Sequence, residues 1–549
     1  IAFGFLIALE SLILNFLSLF NAVTRRWVFI SHAVLIALWL IWAVFFKLEF
    51  TTRIFQRFNH SILIFWRNPL YRLILPLLLL LTFTAIIFPP NNYDSMVYHM
   101  SRIAHWIQNK SIEYYPTAID RQNVMGPGAE YLVLFFQILT GDDYLANCVQ
   151  LFSFCILGLS LGYLLRAVGV PKKIYPPLVI LAFSTPVAIL HATTTKNDVV
   201  ATAITFAIII SLLRFITINN RQIRIPDYAF IGISAGCGFL VKPTTLLVTA
   251  PFIISAAIYE LYKIFHIRTE IKIRATGWFV AFVLFLLVSG PDIIRKQAYG
   301  VKRHEVYPLL SEWTMDRLWN PLKTLAQNFP FPKEYEKLLR KAGYNGVLYT
   351  KNIFNPHEDF IGNPFQTLLF TILTLLSIVM LPLLVIKKYH SRYVMISLSP
   401  LAAWIIFSLF VRDQGWITRL QTPLFFMISL SFLFILTITK QRKFLFKLVT
   451  FSITILSICS LSFSTVIAVQ NKVRPLMAEH FWANLPNRNE AYYNNGGDKK
   501  SHDFLLLKAE ELNCTKVGFV AGPDSYDYPL TWRGITKGIQ FKHIRKAET

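Results

Sequence analysis

Long apolar runs separated by short basic loops dominate the chain. Residues 73–88 and 365–384 contain no charged side chain, and 199–213 is nearly as apolar. Such runs approach the roughly 20 residues a helix needs to cross a ~30 Å hydrocarbon layer. In lipid their backbone polar groups are satisfied only as helix. The pattern predicts an all-α polytopic protein with about thirteen spans, at 1–20, 27–46, 70–89, 143–165, 175–193, 198–216, 228–241, 244–262, 276–294, 365–386, 394–411, 417–438 and 446–468. Residues 228–262 would form one run but for Lys242-Pro243. A proline interrupts a helix and a mid-bilayer charge is costly, so two short spans meeting at Lys242 are expected. Residues 129–139 are apolar but short, which suggests an interfacial or re-entrant helix.

The polar segments give an orientation. Lys47, Arg53, Arg57, Arg67 and Arg72 follow span two, Arg166, Lys172 and Lys173 span four, and Arg214, Arg221 and Arg224 span six. Lys263, Arg268, Lys272 and Arg274 follow span eight, Lys387, Lys388 and Arg392 span ten, and Lys440, Arg442, Lys443 and Lys447 span twelve. With thirteen spans all these loops share one side, which is then cytoplasmic; Arg25-Arg26 is the exception. The opposite side receives 90–142, 295–364 and the tail 469–549. In the tail, Ser501 can cap a helix to Leu512, a strand follows at 516–521, and Gly522-Pro523-Asp524 reads as a turn, together a small extracytoplasmic α/β unit. The expected organisation is 1–69, two additional helices and a basic loop; 70–294, a membrane core with its outer loop 90–142; 295–364, an extracytoplasmic loop; 365–468, the last spans; and 469–549, the small domain.

Composition narrows the classes. Hydrophobic residues make up 54% of the chain and charged residues 15%, too apolar for a soluble protein of this length. The net charge of +24 lies largely in the short loops, which argues against a nucleic-acid partner. Cys148, Cys155, Cys237, Cys459 and Cys514 form neither a disulfide framework nor a metal motif. No cofactor or metal is indicated, although a divalent cation is compatible with the pattern.

The loop after span three carries the most chemistry. From Tyr93 to Ile107, one helical face collects Met96, Met100, Ile103 and Ile107, and the other Asp94, Tyr98 and His105, with Arg102 nearby. This predicts an amphipathic helix on the outer membrane surface. A lone Asp at a helix start is usually a cap. Asp94, however, shares its side with Glu113, Asp120, Arg121 and Glu130, with Thr193–Asp198, with Lys242, and with Arg412, Asp413, Trp416 and Arg419. His357-Glu358-Asp359 stands just before span ten and suits acceptor positioning or gating better than a metal. Ionisable residues gathered at span ends mark a functional cavity.

On these residues the chain resembles the GT-C superfamily of polyprenyl-phosphate-dependent glycosyltransferases, in the branch of protein O-mannosyltransferases and aminoarabinose transferases. The shared features are Tyr93-Asp94 with Tyr98-His99 in the first outer loop; Met125-Gly126-Pro127-Gly128-Ala129-Glu130-Tyr131 before a short apolar helix; a Gly-rich span ending Lys242-Pro243; and Trp416-Ile417-Thr418-Arg419 with Pro423. They cover about residues 70–440. The resemblance implies a sugar donor on a polyprenyl phosphate, a glycan, lipid or protein acceptor, and an inverting displacement on the outer face of the plasma (inner) membrane. It points to Asp94 as general base with Asp198 or Glu130 as further acids, and Glu358 or Asp359 as other candidates. Lys242 and Arg419, then Arg102, Arg121 and Lys196, would hold the donor phosphate. Tyr98, His99, His105, His357, Glu358, Asp359 and Trp416 would contact substrate. The family's Asp-Glu pair is here Asp94-Ser95, and two additional spans precede the core that carries the loop. A lipid-linked oligosaccharide polymerase or ligase and a non-enzymatic transporter are the alternatives; ionisable groups at span ends rather than mid-span favour surface chemistry.

Overall fold

In a computed structural model of the chain, helix covers each of the thirteen predicted segments. The structure describes residues 2–45, 67–217, 224–266, 271–300, 315–328, 332–341, 354–386, 391–411, 414–439, 442–477 and 487–544. Loop residues such as Lys47, Arg53, Arg57, Arg221, Arg268, Lys387, Lys388 and Lys440, and the Arg412-Asp413 pair, lie outside them. Among the described residues, six helices are long and apolar enough to cross a membrane: Arg25–Phe45, Pro69–Ile87, Cys148–Ala167, Thr244–His266, Ile271–Ala298 and Lys443–Val469. Shorter apolar helices, among them Ala2–Ser18 and Ile225–Val241, accompany them. Large side chains such as Trp39, Phe45, Phe279, Phe282 and Leu287 are exposed along these helices. In water such a surface would be a liability, whereas against lipid it costs nothing. The chain is a polytopic helical membrane protein.

Two spans differ from expectation. The predicted 175–193 is broken into Tyr175–Phe183 and Pro186–His191. Pro186 cannot continue the first helix, and the Ser184 and Thr185 hydroxyls donate back to the Leu181 and Ala182 carbonyls at 2.9 and 2.8 Å. The predicted 417–438 begins with one separate turn, Ile417–Leu420, before Thr422–Thr439. The break at Lys242-Pro243 is as expected. Ile225–Val241 ends there, Lys242 is extended (φ −164°, ψ 107°), and Thr244–His266 follows. Two glycines press the first loop onto this turn: a Cβ on Gly126 would lie 2.4 Å from the Leu240 carbonyl oxygen, and one on Gly128 2.7 Å from the Val241 side chain. Asn197 Nδ2 also donates to the Val241 carbonyl at 3.1 Å. The crossing of Ile225–Val241 with Ile271–Ala298 likewise depends on small residues, since a Cβ on Gly232 would sit 2.2 Å from the Ala281 carbonyl oxygen.

The Asp94 loop folds differently from a surface helix. A π-helical turn, Ser95–His99, leads into the α-helix Met100–Asn109. Residues 95–106 are buried on both faces. The apolar face meets the membrane helices, and the polar face is covered by the C-terminal unit. That unit pairs two parallel strands, Lys516–Phe519 and Gln540–His543, through the crossover helix Asp527–Thr536, with Lys499–Glu511 before them. The Lys499–Glu511 helix is capped by Asp498, which accepts from Ser501 N at 3.1 Å, rather than by Ser501, because the helix starts three residues earlier than expected. Gln108 exchanges two 3.0 Å hydrogen bonds with the Phe541 backbone and so pairs with the strand as a backbone would. The short helix expected at 129–139 is Gly128–Thr140, packed on Ala2–Ser18 and Arg25–Phe45.

Gly232→Leu should lower the melting temperature in detergent, at a cost of about 1–3 kcal/mol for overpacking. An unchanged melting curve would show that this helix crossing is looser than the geometry indicates.

Candidate functional site

Asp94 is freed from capping. Asn92 Oδ1 accepts from Ser95 N at 2.8 Å, and the Asp94 side chain makes no capping hydrogen bond. The π-helical turn widens the backbone at this point, a distortion found often at functional sites. Asp94 Oδ2 instead accepts from Arg419 Nη1 at 2.5 Å, with Lys196 Nζ 3.7 Å away. Arg419 Nη1 also donates to Asp359 Oδ1 at 2.9 Å, and Lys196 Nζ to the same oxygen at 2.6 Å. These four groups therefore form a closed ring of alternating charge, drawn from four separate segments of the chain. Ser95 Oγ and Thr195 Oγ1 join two of those segments at 2.5 Å.

A second pair adjoins the ring. Lys242 Nζ donates to Asp198 Oδ1 at 2.5 Å. His191 Nδ1 lies 3.1 Å from Asp198 Oδ2, and its Nε2 bonds the Glu358 carbonyl at 3.0 Å. Behind it, fully buried Arg474 donates to Glu358 Oε2 at 2.9 Å, Asn91 Oδ1 at 3.1 Å and Thr193 Oγ1 at 3.2 Å. The cluster sets Asp94, Asp198, Glu358 and Asp359 against Arg419, Lys196, Lys242 and Arg474, so its formal charge is zero. Burial alone would raise the Asp94 pKa, but Arg419 and Lys196 outweigh it and hold the carboxyl below its ordinary value. Asp359 follows the same logic: burial raises it, and Lys196 and Arg419 pull it down further. Burial would depress the Arg419 guanidinium, yet Asp94 and Asp359 push it up. Burial, and then the Asp94 charge, raise the neighbouring Tyr98 phenol. A small recess borders the cluster and is lined by Asp198, Lys242, Thr244, Thr245, Arg419 and Pro423. Among the described residues, Arg419 Nε and Thr245 Oγ1 are buried there without a hydrogen-bond partner.

Asp94, Asp198, Lys196, Lys242, Glu358, Asp359 and Arg419 thus come together as expected, with Tyr98 beside them. His357 is adjacent. Its Nδ1 accepts from Asp359 N at 3.2 Å, so Nε2 carries the proton toward Asn495 Oδ1, 3.2 Å away. Other expectations need correction. Glu130 is bonded to His99 Nδ1 at 2.7 Å and lies 3.4 Å from Arg102 Nη1, a separate buried group. Arg102 spends its guanidinium on the Gln122, Arg121 and Met125 carbonyls, closing the loop 102–125 rather than facing the recess. Arg121 pairs with Asp524 and the Pro523 carbonyl of the C-terminal unit. His105 bonds Asp527 Oδ2 of that unit at 2.8 Å. Trp416 is largely exposed and starts the Ile417–Leu420 turn. His191, Asn91 and Arg474 were missed. His191 read as the end of a span, and Arg474 follows the last span by only a few residues, where a basic residue reads as a topology signal.

Fold and site together define an integral membrane protein with a buried ionic cluster at the ends of its spans. No protein-family model matches the chain, and no curated protein matches it. Among solved structures it is similar to the crystal structure of ArnT from Cupriavidus metallidurans bound to undecaprenyl phosphate, with 11% identity and a TM-score of 0.48, over 87% of this chain and 86% of that one.

Arg474→Met alone should destabilise the protein by about 3–5 kcal/mol, because it strands the buried Glu358 charge. Arg474→Met combined with Glu358→Leu should recover much of that loss; thermal unfolding in detergent checks both. The lowered Asp94 and Asp359 pKa values add a pH test. A depressed folded-state pKa contributes stability above the ordinary value of 3.8, and that stability is lost as pH falls through the folded values. Arg419→Gln should therefore shift acid unfolding to higher pH.

Proposed function

We propose that the protein is a glycosyltransferase that moves a sugar from a polyprenyl-phosphate donor to an acceptor hydroxyl or amine, with Asp94 as general base in an inverting displacement. One observation carries the reading. Asp94, from the first large loop, shares Arg419 with a cation-lined recess at the span ends, where a lipid phosphate headgroup would lie. A phosphate needs several donors at once. Among the described residues, Arg419 Nε and Thr245 Oγ1 are buried and unpartnered at the recess, and Lys242 lines it too. The order of motifs around Asp94, Lys242-Pro243 and Arg419 supports the same donor class.

The ring also suggests how the base is activated. Paired with Arg419, Asp94 is a weak base. A donor phosphate entering the recess competes for Arg419 and Lys242, loosens the pair, and lets the Asp94 pKa rise toward a value that can accept a proton. The carboxylate would also stabilise the oxocarbenium charge developing at the anomeric carbon. Asp198 and Asp359 hold the cations in register, and His357 and Tyr98 border the acceptor side. The site face is extracytoplasmic, because the basic loops collect at the opposite ends of the spans. The protein then resides in the plasma (inner) membrane.

The test is transfer by the purified protein from a synthetic polyprenyl-phosphate sugar. Asp94→Asn should lower the rate by about 10²–10⁴-fold, the usual worth of a general base. Arg419→Lys should chiefly weaken donor use by losing the two-pronged contact. Unchanged transfer by folded Asp94→Asn would remove Asp94 from the chemistry.

A further inference from the structure

The polar seam between the C-terminal unit and the Met100–Asn109 helix holds a donor set that the ionic cluster does not use. His105 Nε2 lies 2.8 Å and His543 Nε2 3.0 Å from Asp527 Oδ2. The three ligand atoms lie within 4.8 Å of one another, and all three residues are buried. His105 comes from the first loop, while Asp527 and His543 come from a helix and a strand of the C-terminal unit, so this set exists only when the two are docked.

Its surroundings are built like the outer shell of a metal site. Gln122 Nε2 donates to Asp527 Oδ2 at 2.7 Å, and Thr531 Oγ1 to Asp527 Oδ1 at 2.6 Å. Gln122 is itself oriented: the Tyr115 and Thr117 hydroxyls donate to its Oε1, each at 3.0 Å. The Tyr115 ring stands 4.7 Å from the His105 ring and the Phe519 ring 4.6 Å from that of His543, forming aromatic walls. Outer partners that aim a carboxylate at two imidazoles are the arrangement that tunes a ligated ion.

We infer that His105, His543 and Asp527 bind one borderline divalent transition ion of the Zn²⁺ class, clamping the C-terminal unit onto the loop that carries Asp94. Two imidazoles and a carboxylate suit that ion, with a water in the fourth position. Bonds of about 2.0–2.2 Å place tetrahedral ligand atoms about 3.3 Å apart, so binding opens the present contacts by only a few tenths of an ångström. The clamp also reaches the site: Gln122 Nε2 donates to the Val97 carbonyl at 3.0 Å, inside the π-helical turn next to Asp94. The inference does not rest on the glycosyltransferase reading, and a failed transfer assay leaves it untouched.

The experiment strips the full-length protein in detergent with a chelator, adds Zn²⁺ or Co²⁺, removes free ion, and measures bound metal. Expected are about one equivalent of zinc, visible absorption of tetrahedral Co²⁺, and a melting temperature that rises with zinc and falls with chelator. Asp527→Asn and His543→Ala should each abolish the cobalt bands. Retention no higher than background by the unmutated protein overturns the site whatever the variants do. So do cobalt bands that survive in the folded double variant.

Discussion

Everything at the functional end of the molecule hangs on the Arg419 guanidinium, which contacts Asp94 and Asp359 at once. Burying so many charges is expensive: removing each ion from water costs several kcal/mol even after relaxation. Close pairs return about 4 kcal/mol each at an effective dielectric of 20. The terms are comparable, so the ring does little for net stability. What it does is specify. Only one arrangement of the loop after the third span, the 193–198 turn, the 357–359 segment and the 417–420 turn gives every charge a partner.

Small residues and prolines make that arrangement reachable. Gly126 and Gly128 allow the first loop to lie against Leu240 and Val241, and Pro243 ends the helix so that Lys242 emerges beside Asp198. The C-terminal unit then seals the loop from above through Gln108, His105 and Arg121. The polar face of the 94–107 segment, which looks like a face for solvent or headgroups, is an internal interface. His105 and Arg121, assigned to substrate and phosphate, tie the first loop to this unit, and Arg102 ties the loop to itself.

Legibility therefore differed by residue. Asp94, Lys242, Asp359 and Arg419 stood out because each is an ionisable group placed at the end of an apolar run, where charge needs a reason. His191 and Arg474 did not, since one reads as the last turn of a predicted span and the other looks like an ordinary flanking base. The break at 184–186 was overlooked for a related reason: a proline within an apolar stretch is tolerated in many membrane helices, and only the Ser184 and Thr185 hydroxyl bonds show that here the helix stops.

The amino-acid order alone determined the membrane class, the positions of the helices, the turn at Lys242-Pro243 and the small α/β unit, because each follows from local physics: the length of apolar runs, backbone satisfaction in lipid, and proline geometry. Which charges meet was decided only in three dimensions. Asp94 and Arg419 are 325 residues apart, and His105 and Asp527 are 422 apart. Pairing at such separation depends on how helices cross and what covers a loop, and the hydrophobic period of the chain carries no information about either.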